Sequence, residues 1–137
     1  MNSFVVDSSV ALAWVLPDEQ DAWADALADA LETAPASAPT LWSLEVANAL
    51  LTAQRRKRLT DREAERLFKV LEALPIEFDS APPAQVAPAV FALARKLGLT
   101  AYDAAYVELA KRRSLPLATL DAALAEGARK VGVAVLP

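Results

Sequence analysis

An α/β fold with a central parallel sheet is the architecture that the sequence predicts, and three observations predict it. Short apolar runs alternate with longer stretches of helical periodicity along the whole chain, the pattern of successive βαβ units. Two of those runs, Phe4-Val5-Val6 and Leu115–Thr119, are apolar without alternation, as expected of strands covered on both faces. The 137 residues contain no linker, repeat or low-complexity tract, so residues 1–137 form one domain.

Taken in order, Phe4-Val5-Val6 is a buried strand ending at Asp7, and Ser8 to Val15 is a short helix stopped by Pro17. From Asp18 to Thr33, Trp23, Leu27 and Leu31 recur every four residues opposite Asp21, Asp25, Asp29 and Glu32, which predicts an amphipathic helix. Residues 35–41 read as a loop leading into a short strand. Ser43 then caps a helix running to about Arg58, with Glu45 in its first turn. Thr60 and Glu63 have the spacing of a capping box, starting a helix that ends near Leu74 and Pro75. Ile76-Glu77-Phe78 alternates as a strand. Pro82 and Pro83 open a helix closed by Gly98, and Thr100 caps the next one, to about Arg113. After the strand Leu115–Thr119, Asp121 starts a helix to about Lys130, and Val133–Leu136 is a last strand. The sheet therefore has four to five strands.

Composition excludes several chemistries. Cysteine and histidine are both absent, which removes thiol nucleophiles, the Ser-His-Asp triad and zinc sites with the usual ligands. What remains for acid–base or metal work is carboxylate, hydroxyl, lysine, tyrosine and backbone, a donor set that suits hard cations such as Mg²⁺ and Mn²⁺. No cysteine, no basic leader and no apolar run of membrane-spanning length together read as a soluble cytoplasmic protein without a membrane role. The net charge of −4 conceals an asymmetry, because residues 1–54 hold eight acids and no Lys or Arg. Arg55, Arg56, Lys57, Arg58, Lys111, Arg112 and Arg113 are the candidates for phosphate contact. Solvated helix ends favoured by the dipole are the plainer reading of both runs.

Four acids fall where open parallel sheets place their ligands, beyond the carboxyl ends of strands. Asp7 directly follows the first strand and Asp121 follows the Leu115–Thr119 strand; Glu45 and Asp103 lie in first helical turns. Each has an ordinary explanation as an N-cap or as an acid favoured by a helix dipole. Their shared edge is what capping does not require. Carboxylates gathered in a partly dry cleft raise one another's pKa until a cation neutralises them. Asn48, one turn after Glu45, and Ser8 and Thr119, beside their aspartates, are candidate supporting residues. Tyr102 and Tyr106 read as packing residues rather than base-stacking ones.

With those positions in place, the chain resembles the PIN-domain family, and within it the VapC toxins of bacterial toxin–antitoxin pairs. The resemblance rests on residues 5–9 (VVDSS), 45–50 (EVANAL), 99–106 (LTAYDAAY) and 118–124 (ATLDAAL), in that order over nearly the whole chain. It implies a three-layer α/β/α sandwich and a metal-dependent ribonuclease in which Asp7, Glu45, Asp103 and Asp121 are the catalytic acids. Asp7 and Asp103 would be the principal Mg²⁺ or Mn²⁺ ligands. It further implies an RNA substrate, a homodimer and a cognate VapB-type antitoxin, for which Trp14, Trp23, Trp42 and the early helices offer an apolar groove. Two rival readings have features of their own. An aspartyl-phosphate enzyme also places Asp after the first strand, but Ser9 stands where such phosphatases want a second aspartate, and no lysine follows Leu115–Leu120 as receiver domains require. A PIN-like module that binds RNA or a partner without catalysis would not need all four acids.

Overall fold

In the computed structural model, which describes residues 3–137, five short strands form one sheet in the order β3-β2-β1-β4-β5, and every pairing is parallel. The strands are β1 (Val5–Val6), β2 (Ala36–Ala38), β3 (Ile76–Phe78), β4 (Leu117–Ala118) and β5 (Val135–Leu136). Between them run α1 (Ser8–Val15), α2 (Ala22–Ala30), α3 (Leu41–Arg55), α4 (Asp61–Glu72), α5 (Pro83–Leu97), α6 (Ala101–Arg113) and α7 (Ala122–Lys130). The order reverses at β1, which has β2 on one side and β4 on the other, so the switch-point crevice opens beyond the ends of β1 and β4.

Successive strand residues point to opposite faces, and the core divides accordingly. Val5 and Leu117 pack with Trp42, Val46 and Leu50 of α3, Leu67 and Leu71 of α4, Tyr106 and Leu109 of α6 and Leu124 of α7. Val6 and Ala118 pack instead with Val10 and Ala13 of α1 and Ala24 and Leu27 of α2. Helices on both faces of the sheet make three layers, and explain why Val5, Val6, Leu117 and Ala118 are all fully buried.

Several boundaries differ from the sequence reading, each for a local reason. The helix expected over 18–33 is broken. Pro17–Glu19 form one 3₁₀ turn, and the Asp21 carboxylate accepts from the amides of Trp23 and Ala24, starting α2 afresh at Ala22. The second strand is Ala36–Ala38, not the Leu41 region; Leu41, Trp42 and Ser43 already lie in α3, whose N-cap is Thr40 rather than Ser43. Glu45 consequently sits in the second turn of α3. That helix ends at Arg55 because Lys57 adopts a left-handed conformation (φ 61°) and the Arg58 amide turns back to the Ala53 carbonyl. The strands expected over 115–119 and 133–136 shorten to two residues each. The capping box of α4, the Gly98 cap of α5, the Thr100 cap of α6 and the Asp121 cap of α7 stand as the sequence predicts.

Candidate active site

Asp7 follows β1 and caps α1, and it is only 4% exposed. A carboxylate so buried needs its lone pairs satisfied. Oδ1 accepts from the Ser9 hydroxyl at 2.6 Å and the Val10 amide at 3.2 Å, while Oδ2 accepts from the buried Thr119 hydroxyl. Both hydroxyls accept in turn from the loop between β4 and α7, Ser9 from the Leu120 amide and Thr119 from the Asp121 amide, each at 3.0 Å. Ser9 and Thr119 therefore lace the first strand's end to the fourth strand's end, across the switch point.

Asp121 is exposed at the head of α7, where Oδ1 accepts from the amides of Ala123 and Leu124. Asp103 lies in the first turn of α6, half-buried, its amide donating to the Thr100 hydroxyl at 3.1 Å. Glu45, half-buried on α3, accepts through Oε1 from the hydroxyl of Tyr106.

The electrostatics couple three of these acids to other members of the quartet. Burial raises the carboxyl of Asp7 above its ordinary value, with the Asp121 charge adding to the effect; the bonds from Ser9, Thr119 and Val10 oppose it. Burial also raises Glu45, against the Tyr106 hydrogen bond, with help from the charges of Asp103 and Asp7. Asp103 is raised by burial and then by the charge of Asp121. Asp7, Glu45 and Asp103 are thus each raised in part by the charge of another member of the quartet. The Tyr106 phenol, buried beside Glu45, is pushed far above its usual range and stays a proton donor.

Among the described residues, no three acids converge tightly enough to form a ready-made coordination shell. The quartet is an open ring of mutually repelling carboxylates and hydroxyls, lacking histidine and thiolate. That donor set fits a small hard cation such as Mg²⁺, which keeps several waters and takes only one or two carboxylates directly. Asp7, the N-cap of α1, and Asp103, in the first turn of α6, would hold such an ion, with Glu45 and Asp121 reaching it directly or through water. The ends of α1, α6 and α7 that carry Asp7, Asp103 and Asp121 are helix N-termini, whose amides favour anions such as a phosphate.

The supporting residues divide differently from the sequence reading. Thr119 touches Asp7, and Ser9 is the serine that does so; Ser8 is the first residue of α1, half-buried, and Asn48 is exposed on α3. Tyr106 packs in the core at 1% exposure and also binds Glu45, whereas Tyr102, expected to pack, is 67% exposed. The signal for Tyr106 was its i+3 spacing from Asp103, which puts both on one face of α6. Trp42 is 2% exposed and belongs to the core, so it offers no surface to a partner; Trp14 is half-buried, its indole donating to the Ala24 carbonyl at 2.6 Å. Arg58 is paired with Asp18, and Arg112 and Arg113 with Asp79, which leaves Arg55, Arg56, Lys57 and Lys111 as the basic residues of the two runs without an ion pair among the described residues.

Comparison with known proteins bears on the family and the fold. The PIN domain family model matches residues 4–130. Ribonuclease VapC3 of Pyrobaculum aerophilum is 39% identical over 127 residues, spanning 89% of this chain and 92% of the relative. Among solved structures, PAE2754 of Pyrobaculum aerophilum superimposes with a TM-score of 0.72 at 26% identity, over 97% of this chain and 90% of that one. FitAcB of Neisseria gonorrhoeae shares the fold, with a TM-score of 0.68 at 21% identity over 98% and 96% of the two chains.

Proposed function

Because the chain belongs to the PIN-domain family, we propose that it is a divalent-metal-dependent endoribonuclease, acting as the toxin of a toxin–antitoxin pair. The observation that carries this reading is the grouping of Asp7, Glu45, Asp103 and Asp121 at the switch-point edge of the sheet, where Asp7, Glu45 and Asp103 are each raised in part by another acid of the four. Its likeness to a relative named as a ribonuclease supplies the substrate class.

A Mg²⁺ or Mn²⁺ ion in the ring would neutralise the acids and stabilise charge on the scissile phosphate. The chain's own residues do the rest. Ser9 and Thr119 fix both oxygens of Asp7, and the caps of α6 and α7 fix Asp103 and Asp121 at helix starts that favour the phosphate. Glu45, a half-buried carboxylate whose affinity for a proton burial raises, would take the proton of an attacking water. The water oxygen bonds to phosphorus as the bond to the 3′ oxygen breaks, and that oxygen leaves taking a proton from solvent, so the products carry a 3′-OH and a 5′-phosphate.

The same reading calls for a VapB-type antitoxin that covers the site and for a homodimer in the cytoplasm. No helix among the described residues is long and apolar enough to cross a membrane. The exposed apolar side chains Leu44 on α3 and Phe91 on α5, 75% and 61% accessible, are surface that a second copy would cover. Sedimentation would show a species of twice the chain mass, and Leu44→Glu would return it to the monomer.

Cleavage of single-stranded RNA with Mg²⁺ or Mn²⁺, against EDTA, tests the central reading. Asp7→Asn and Asp103→Asn should each lose RNA cleavage while keeping the far-ultraviolet circular dichroism of the parent. Undiminished metal-dependent cleavage by either variant would refute it.

A further inference from the structure

The residues that hold the acids in place differ in what they join. Ser9 and Thr119 tie the ends of two adjacent strands together at Asp7. Tyr106 instead links two helices: its hydroxyl joins α6 to Glu45, an acid 61 residues earlier in the chain, on α3. Its ring is 1% exposed and packed among the apolar side chains beneath the site, so it has little freedom to follow a moving partner. Glu45, by contrast, is a long side chain on a helix with no cap to hold it. Without a fixed donor it would spread over several rotamers, at a cost in order to whatever it must bind. Tyr106 also lies one turn after Asp103 on the same face of α6, so one helix carries one acid of the ring and the anchor of another.

We propose that Tyr106 is a positioning residue for the acidic ring: its hydroxyl pins one carboxylate oxygen of Glu45 and presents the other to the cation shared with Asp7 and Asp103. This rests on reading the ring as a cation site. Tyr106 touches neither substrate nor ion. It acts by fixing the distance between an acid on α3 and an acid on α6.

The test is Mn²⁺ binding to the RNA-free protein, measured by electron paramagnetic resonance, beside steady-state cleavage. Tyr106→Phe keeps the ring and removes the donor. It should weaken Mn²⁺ binding and lower kcat by about tenfold, as loss of an outer hydrogen-bond partner does, with KM for RNA unchanged. On a Glu45→Gln background the same substitution should add less than about twofold, because two changes that act through one group are not additive. A fluorine measurement does not depend on how well that variant folds. In Tyr102→Phe protein labelled with 3-fluorotyrosine, Tyr106 gives one resonance, which Mg²⁺ should shift and which Glu45→Gln should render insensitive to Mg²⁺. Parental protein that binds Mn²⁺ and cuts RNA, with Tyr106→Phe matching it in both and a fluorine resonance that ignores Mg²⁺, would overturn the role of Tyr106 alone. Parental protein that neither binds Mn²⁺ nor cuts RNA would overturn the cation site and, with it, this role.

Discussion

Asp7 is a carboxylate held where its charge is unfavourable, and the sign of that penalty can be worked out. Its folded pKa is raised by burial, as are those of Glu45 and Asp103. Between the unfolded and folded values the native state binds more protons than the unfolded chain. The contribution of these acids to stability is therefore full below the ordinary carboxylate range and is lost as pH rises through their folded pKa values. Asp7→Asn keeps an oxygen that caps α1 and removes the charge, so in EDTA at neutral pH its melting midpoint should exceed that of the parent, and the gap should close on acidification. A lower midpoint for Asp7→Asn across that range would contradict the electrostatic account. Thr119→Val removes a donor to Asp7 and a link to α7, and should cut metal affinity and cleavage about 10- to 100-fold. At this scale the acids were legible, because strand ends and helix starts are readable. Ser9 was not: whether the first or second residue of a helix turns back to its cap depends on the phase with which the helix begins. Asp7 as N-cap fixes that phase.

Elements show where local chemistry decides and where it does not. The reciprocal bonds of Thr60 and Glu63 at the start of α4 lie away from the acids, so Thr60→Ala should lower stability by about 1 kcal/mol in reversible denaturation. Cleavage at a temperature well below melting should be unchanged, and a matching loss of activity would show that α4 positions the site. The capping box was visible because its spacing is specific. The break before α2 was not, since Asp21 looks like any solvent-facing acid of an amphipathic stripe until its side chain is seen on the amides of Trp23 and Ala24. Likewise β2 is Ala-Ser-Ala, three residues of little strand preference, and it is a strand because β1 and β3 pair with it on either side.

Over the whole molecule, the sequence disclosed the order of strands and helices, and parallel pairing follows from it. Long-range polar contacts remained hidden. Arg112 bonds both Glu108, 7% exposed, and Asp79, and Arg113 adds Glu77 and Asp79, so the basic run at the end of α6 clamps β3 to the core. Arg112→Ala would strand Glu108 without its partner and should cost about 2 kcal/mol, since an unpaired buried charge loses more than the exposed half of the pair returns. Urea denaturation would measure it. The exposed runs gave no hint of this, because a basic helix end reads the same whether it faces water or acids from another strand. The acidic quartet is the opposite case, in which strand ends and helix starts placed remote stretches of chain at one edge of the sheet. Mn²⁺ titration of the RNA-free protein tests that most directly, run in parallel on Asp7→Asn, Glu45→Gln, Asp103→Asn and Asp121→Asn. Weaker binding in all four, with Asp7 and Asp103 the most severe, is the predicted result; parental affinity in the Asp7 and Asp103 variants would contradict it.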